Sequence, residues 1–236
     1  MRLLLFDIDG TLIYANRTGR TAILSALEQI FGTTGPAEQY HMAGKTDPQI
    51  ITDLLTAAGI PPAQIAEKLP LVYRHMVVKG HQVFKPENGL APCPGVLALL
   101  AALQQRPDAV LGLLTGNIAA TAPLKLTGAG IDPAQFRLGA YGSDAADRNL
   151  LPAIAMQRAT QVTGHLFHAG NTTIIGDTPA DILCARGATA TAVAVATGRY
   201  TPATLAQYKP DHLLENLLDT EAVLDLLLPK EALPST

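Results

Sequence analysis

Leu3-Leu4-Leu5-Phe6-Asp7-Ile8-Asp9-Gly10-Thr11 is the stretch from which the fold can be read. Leu3–Ile8 is an apolar run broken only by Asp7 and ended by the turn-forming Asp9-Gly10. Such a run reads as a strand buried on both faces, as in parallel sheets. In open α/β sheets, ligands bind in the crevice beyond the carboxyl ends of the strands. Asp7 and Asp9 stand two residues apart at that end, and like charges held close need a cation or a proton to coexist. Mg²⁺ meets that need, since it takes oxygen ligands and bridges carboxylates to substrate phosphate. The plain alternative is a turn, with Asp-Gly as strand terminator and Asp7 a satisfied edge residue.

Outward from this stretch, short apolar runs recur at Ala109–Leu114, Thr172–Ile175 and Ala192–Ala196. Helical patterns follow at Asn117–Leu126 and Pro179–Arg186, closed by Gly128 or Gly130 and by Gly187, as helix C-caps prefer. Pro123 interrupts the first of these patterns and blurs its bounds. Strands alternating with helices predict an α/β fold, a parallel sheet with helices on both faces. Residues from about Tyr14 to Leu90 read differently. Ile23, Leu24, Leu27, Ile30 and Phe31 form a helical stripe. Asp47-Pro48 supplies an N-cap and a Pro in the first turn, Gly59 closes that helix, and Pro61-Pro62 opens another running to about Val78. Ala91-Pro92-Cys93-Pro94-Gly95 reads as a returning linker. The expected organisation is a core of residues 1–14 and 91–236 with an all-helical insert at 15–90. Pro234-Ser235-Thr236 is expected to fray.

The chain of 236 residues divided by about 150 per domain suggests one large or two unequal domains. Charged residues make up 16%, below the ~25% of an average chain. Net charge is −3, Trp is absent and aromatics are 5%. This balance argues against a nucleic-acid partner, which needs a basic surface or aromatic stacking platforms. Cys93 and Cys184 are too few for a disulfide framework and read as buried thiols. The apolar run near the first residue is too short for a secretory signal, and Val96–Leu103 too short for a membrane span. The expectation is a cytoplasmic protein with no membrane partner.

Further candidates lie at other strand ends. Gly176-Asp177-Thr178-Pro179-Ala180-Asp181 sets two carboxylates across a strand-to-helix turn. Capping accounts for Asp177 but leaves Asp181 unexplained, which favours metal binding. Thr115-Gly116-Asn117 offers a hydroxyl and backbone N–H groups at an expected helix N-terminus, a cradle for phosphate. Arg148 could neutralise a phosphoryl group or be a solvated loop residue. Lys45 stands in a glycine-containing loop just ahead of a helix, where a cation could meet a substrate anion. Arg17, Arg20 and His41 fall in or beside the insert and could touch substrate, with a surface role at least as well founded. His165 and His168 lack the partners of a metal site.

Taken together, the DxDGT stretch at Asp7–Thr11, Leu113-Leu114-Thr115-Gly116-Asn117, the basic Arg148 and the GDxxxD stretch at Gly176–Asp181 resemble the four motifs of the haloacid dehalogenase-like (HAD) hydrolases. The chain looks most like the phosphoglycolate-phosphatase-like branch, which carries a helical cap inserted after the first motif. The resemblance implies a Rossmann-like core and a Mg²⁺-dependent phosphatase acting on a small phosphorylated metabolite. It makes Asp7 the nucleophile and Asp9 the general acid and base. Asp7, Asp9 (through its backbone carbonyl), Asp177 and Asp181 become the metal set. Thr115, Gly116, Asn117 and Arg148 hold the phosphoryl group, and Lys45 is at most a substrate contact. Arg148 stands where many relatives have Lys. The alternatives are a phosphomutase of the β-phosphoglucomutase kind and a non-catalytic binder of a phosphorylated ligand.

Overall fold

The computed structural model describes residues 1–229, so the fraying expected at Pro234-Ser235-Thr236 lies outside the described residues. The first strand, β1 (Arg2–Phe6), is the physical centre of the fold. Leu3, Leu4, Leu5 and Phe6 are fully buried, alternating between two apolar clusters: Leu4 and Phe6 pack on one face of the sheet, Leu3 and Leu5 on the other. A strand covered on both sides has no solvent face, which is why its sequence shows no alternation. Each such side chain contributes roughly 1.5–3 kcal/mol by burial.

After β2 (Ile13–Tyr14) come three helices, α1 (Thr18–Phe31), α2 (Asp47–Ala57) and α3 (Pro62–Val83). They enclose an apolar cluster of their own around Leu27, Ile51, Leu54, Leu55, Val72 and Met76. The chain returns through β3 (Ala91–Pro92), which pairs antiparallel with β2. The outgoing and returning segments thus form a two-stranded ribbon just outside the helical insert, and no strand falls between residues 15 and 90. The N-cap of α2 is Thr46, whose hydroxyl accepts from the Gln49 N–H, rather than Asp47. Asp47 is instead buried in the first turn.

The remainder alternates: α4 (Val96–Gln104), β4 (Ala109–Thr115), α5 (Ala122–Gly128), β5 (Leu138–Tyr141), α6 (Leu151–Thr163), β6 (Thr172–Gly176), α7 (Pro179–Gly187), β7 (Thr191–Val195), α8 (Pro202–Ala206), β8 (His212–Leu214) and α9 (Thr220–Leu227). The six-stranded sheet runs β5-β4-β1-β6-β7-β8, and every pairing is parallel. This is the expected α/β fold, with β1 between β4 and β6. Helix α5 begins at Ala122, not Asn117. Pro123 therefore sits in its first turn, where a missing N–H costs nothing.

No helix among the described residues is long and apolar enough to cross a membrane. Both cysteines are free and buried. Burial pushes each thiol up to about 12, with the charge of Asp177 adding to it at Cys93. The thiolate is the reactive form. Folded protein at pH 8 is therefore expected to resist iodoacetamide at both positions and to take up two labels once denatured, as mass spectrometry would show. Labelling of the native protein at either cysteine would contradict this packing.

Candidate active site

The sheet order carries β1, β4 and β6 side by side, so residues just past their ends must meet. The Asp7 N–H donates to the Ile175 carbonyl at 2.9 Å, which keeps Asp7 in register with the end of β6. Asp7, Asp177 and Asp181 consequently present carboxylate oxygens within 4.8 Å of one another, all three buried. Arg148 is buried beside them, 3.4 Å from Asp7 Oδ1 and in close contact with Asp181 Oδ1. It is not the solvated loop arginine that was the plain alternative. Its Nε is buried without a partner among the described residues.

The local structure reverses one inference about the GDTPAD stretch. Thr178, not Asp177, caps α7, and Asp181 completes a capping box by accepting from the Thr178 N–H at 3.0 Å. Capping therefore explains Asp181 and leaves Asp177 free for other work. Asp177 accepts from the Thr11 hydroxyl at 3.2 Å, a contact across 166 residues of sequence. Gly10, at φ 90, lies so close that a Cβ there would run into the Asp177 carboxylate. Thr197, which sequence reasoning passed over, helps hold that turn by donating to the Gly10 carbonyl at 2.6 Å.

Burial pushes the Asp7 carboxyl up to about 6, against the pull of Arg148 and helped by the charges of Asp181 and Asp9. Burial, followed by the charges of Asp181 and Asp7, raises Asp177 well above the usual carboxylate range. Three carboxylates around one guanidinium leave a deficit of positive charge, and the donors are all oxygens. That donor set fits a divalent metal ion of the hard, oxygen-seeking kind. Asp181 already accepts from Arg148 and Thr178, so Asp7 and Asp177 have the freer oxygens.

At the end of β4, Thr115 is fully buried, and its hydroxyl oxygen accepts from Asn117 Nδ2 at 2.8 Å. The Asn117 N–H also approaches that oxygen, at 3.4 Å. Because α5 starts later than expected, Gly116 and Asn117 form a turn rather than a helix N-terminus. The expected helix-dipole cradle is not there, and Asn117 is spoken for by Thr115 and by Asp9, whose Oδ2 it reaches at 2.7 Å.

The helical insert closes over this floor. The Asp47 N–H donates to the Gly116 carbonyl at 2.7 Å and the Asp47 carboxylate accepts from the Ile118 N–H at 2.9 Å. A Cβ on Gly116 would strike the Lys45 carbonyl, so this approach requires glycine. The Thr46 hydroxyl donates to the Ala146 carbonyl at 2.7 Å, and Ile118 packs into the helical cluster. Between floor and roof lies a cavity of about 610 Å³, lined among others by Asp7, Asp9, Thr115, Asn117, Arg148 and Asp177. Arg17, Arg20, His41 and Lys45 reach its wall. The Lys45 ammonium is held by Asp53 at 3.0 Å and the Tyr40 hydroxyl at 2.7 Å, and Arg20 donates to the Ala37 and Tyr40 carbonyls. His168 caps a short turn, its Nδ1 accepting from the Gly170 N–H at 3.1 Å.

Lys125 and Asp47 escaped sequence reasoning. Lys125 is buried on α5 and grips both oxygens of Asp9. The available signal was a lone cation in the apolar pattern Pro123-Leu124-Lys125-Leu126, and its partner is 116 residues away. Asp47 was visible only as a helix cap.

Comparison with known proteins agrees with this architecture. A family model described as HAD-hydrolase-like matches residues 152–220. Among solved structures, a hydrolase from Pseudomonas syringae is 21% identical with a TM-score of 0.70, covering 96% of this chain and 99% of its own. A predicted phosphoglycolate phosphatase from Haemophilus somnus is also 21% identical, TM-score 0.67, covering 94% and 97%. CbbY from Rhodobacter sphaeroides, in complex with xylulose-1,5-bisphosphate, is 18% identical, TM-score 0.70, covering 93% and 96%. No curated protein matches. The chain has the HAD-like α/β fold, and the likeness first carried by its motifs extends to its architecture.

Proposed function

We propose that the protein is a Mg²⁺-dependent phosphatase acting on a small phosphorylated metabolite. The observation that carries this reading is the convergence of Asp7, Asp177 and Arg148 at the base of one cavity, with Asp181 buried against Arg148 beneath them. Phosphoryl transfer is mainly positioning and electrostatic stabilisation, for which this set of charges is suited. The kind of ligand read here also accords with the bisphosphate bound by CbbY.

In this reading an Asp7 oxygen attacks phosphorus as the ester P–O bond breaks, giving an aspartyl-phosphate and splitting one hard displacement into two easier ones. Asp9 gives the departing alkoxide its proton, then takes one from the water that releases phosphate and restores Asp7. Arg148 offsets the charge of the phosphoryl oxygens and steadies Asp7. Thr115 and the Gly116-Asn117 turn contribute polar contacts. Asp7, Asp177, the Asp9 backbone carbonyl and, directly or through water, Asp181 would hold Mg²⁺, which supplies positive charge to the phosphoryl oxygens. Residues 15–90 serve as a cap domain whose opening admits substrate and whose closure excludes bulk water. Lys45, committed to Asp53 and Tyr40, contributes to the cap's inner wall.

Purified protein is expected to release inorganic phosphate from para-nitrophenyl phosphate with Mg²⁺ and to stop with excess EDTA, recovering when Mg²⁺ is restored. Undiminished turnover in EDTA would remove the metal from the scheme. Absence of turnover on any of a panel of phosphorylated metabolites would leave a binding protein. Isomerised sugar phosphate without free phosphate would instead indicate a phosphomutase.

A further inference from the structure

Asp9 differs from the other acidic residues of the site in how it is held. Its side chain is 37% exposed toward the cavity, whereas the Lys125 side chain behind it is 4% exposed. Lys125 Nζ lies 2.8 Å from Asp9 Oδ1 and 2.7 Å from Oδ2, and Asn117 Nδ2 reaches Oδ2 at 2.7 Å. Both carboxylate oxygens are thus gripped by nearly buried donors at the cavity wall, while the Asp9 side chain keeps an exposed face. The grip is built in: the ammonium rests 5.6 Å from the centre of the Phe84 ring. A Cβ at Gly19 would come within 2.8 Å of it, so glycine there leaves the room it occupies. A half-exposed carboxylate otherwise samples several rotamers, and general acid catalysis depends on one heavy-atom distance being right.

We propose that Lys125 is a positioning residue that fixes the Asp9 carboxyl for proton delivery to the leaving oxygen. The proposal rests on the phosphatase reading above. In the step concerned, the Asp9 O–H bond breaks and its proton joins the alkoxide oxygen as the P–O bond breaks, and Lys125 neither gains nor loses a proton. Its contribution must therefore depend on how much the leaving group needs that proton.

Two esters of similar size separate this from a merely structural role. Benzyl phosphate expels an alkoxide and needs protonation, whereas para-nitrophenyl phosphate expels a stable phenolate and does not. For Lys125→Met, kcat/KM on benzyl phosphate is expected to fall by about 10²-fold or more, within the ~10²–10⁴-fold range of general acid catalysis. On para-nitrophenyl phosphate the fall should stay within about tenfold. Lys125→Gln, which keeps one donor, should lie between wild type and Lys125→Met on the benzyl ester. The ratio of the two rates in one preparation is independent of how much protein folded. In an Asp9→Asn background, Lys125→Met should add nothing further on the benzyl ester. Equal losses on the two esters, or full additivity with Asp9→Asn, would overturn the proposal while leaving the phosphatase reading intact. Failure of the wild type on both esters would instead bring down that reading and this proposal together.

Discussion

Asp7→Asn is expected to lower phosphate-ester turnover by on the order of 10⁴-fold or more, as loss of a nucleophile does elsewhere. The substitution keeps the size of the side chain but replaces an anionic oxygen with a weakly nucleophilic amide. It also removes one of three buried carboxylates that crowd within 4.8 Å. The folded protein should therefore survive, and the direction of the stability change follows from the raised position of Asp7, about 6 against an ordinary 3.8. Between those values the folded state binds more protons at this group than the unfolded chain does. The contribution of Asp7 is thus fully present below the lower value and is lost as pH rises through the upper one. In metal-free protein, Asp7→Asn should remove that part of the decline in stability between about pH 4 and pH 7, measurable by thermal melts in EDTA. A variant that folds, melts at or above wild type at pH 7.5 and still turns over at more than about a tenth of the wild-type rate would refute a nucleophilic Asp7.

The sequence was most legible where one physical cause acts alone. Leu3–Phe6 showed no alternation because helices cover both faces of β1, and this identified a parallel sheet. Asp7 and Asp9 were visible because two carboxylates at a strand end have few structural reasons to be there. Reading failed where two causes share a residue type. Asp177 and Thr178 are both good caps, and only the tertiary contact from Thr11 shows which one is otherwise engaged. Asp47 looked like a cap for the same reason, while its carboxylate in fact joins helix α2 to the Ile118 N–H. Pro123 was read as a breaker within a helix that had been started five residues early, and this hid Lys125 on its buried face. The short edge strands β5 and β8 carry too few apolar residues to stand out locally. Their identity comes from pairing with β4 and β7.

Arg148→Met is expected to cause the largest loss of stability among single substitutions at the site. Arg148 is 6% exposed, its guanidinium lies beside Asp7 and Asp181, and its charged form is favoured by those two neighbours against the cost of burial. Methionine fills much of the same volume with an apolar chain, so packing changes little. What changes is that Asp7, Asp177 and Asp181 face one another without a protein cation. Removing one partner of a buried ion pair costs about 3–5 kcal/mol, because the remaining charge stays desolvated. At ~2–4 °C per kcal/mol for a domain of this size, the melting temperature in EDTA at pH 7.5 should fall by roughly 6–20 °C. Arg148→Lys keeps a charge but loses the planar fork that spans two carboxylates, so its loss should be smaller. Two further measurements separate electrostatics from packing. If carboxylate repulsion is the cause, lowering the pH toward 5 or adding excess Mg²⁺ should recover part of the loss in Arg148→Met, and each should help this variant more than it helps wild type. A melting temperature within about 1 °C of wild type in EDTA would mean the three carboxylates do not depend on Arg148. An unaltered loss at pH 5 and in Mg²⁺ would assign it to packing around Cys184, whose thiol donates to the Arg148 carbonyl at 3.3 Å.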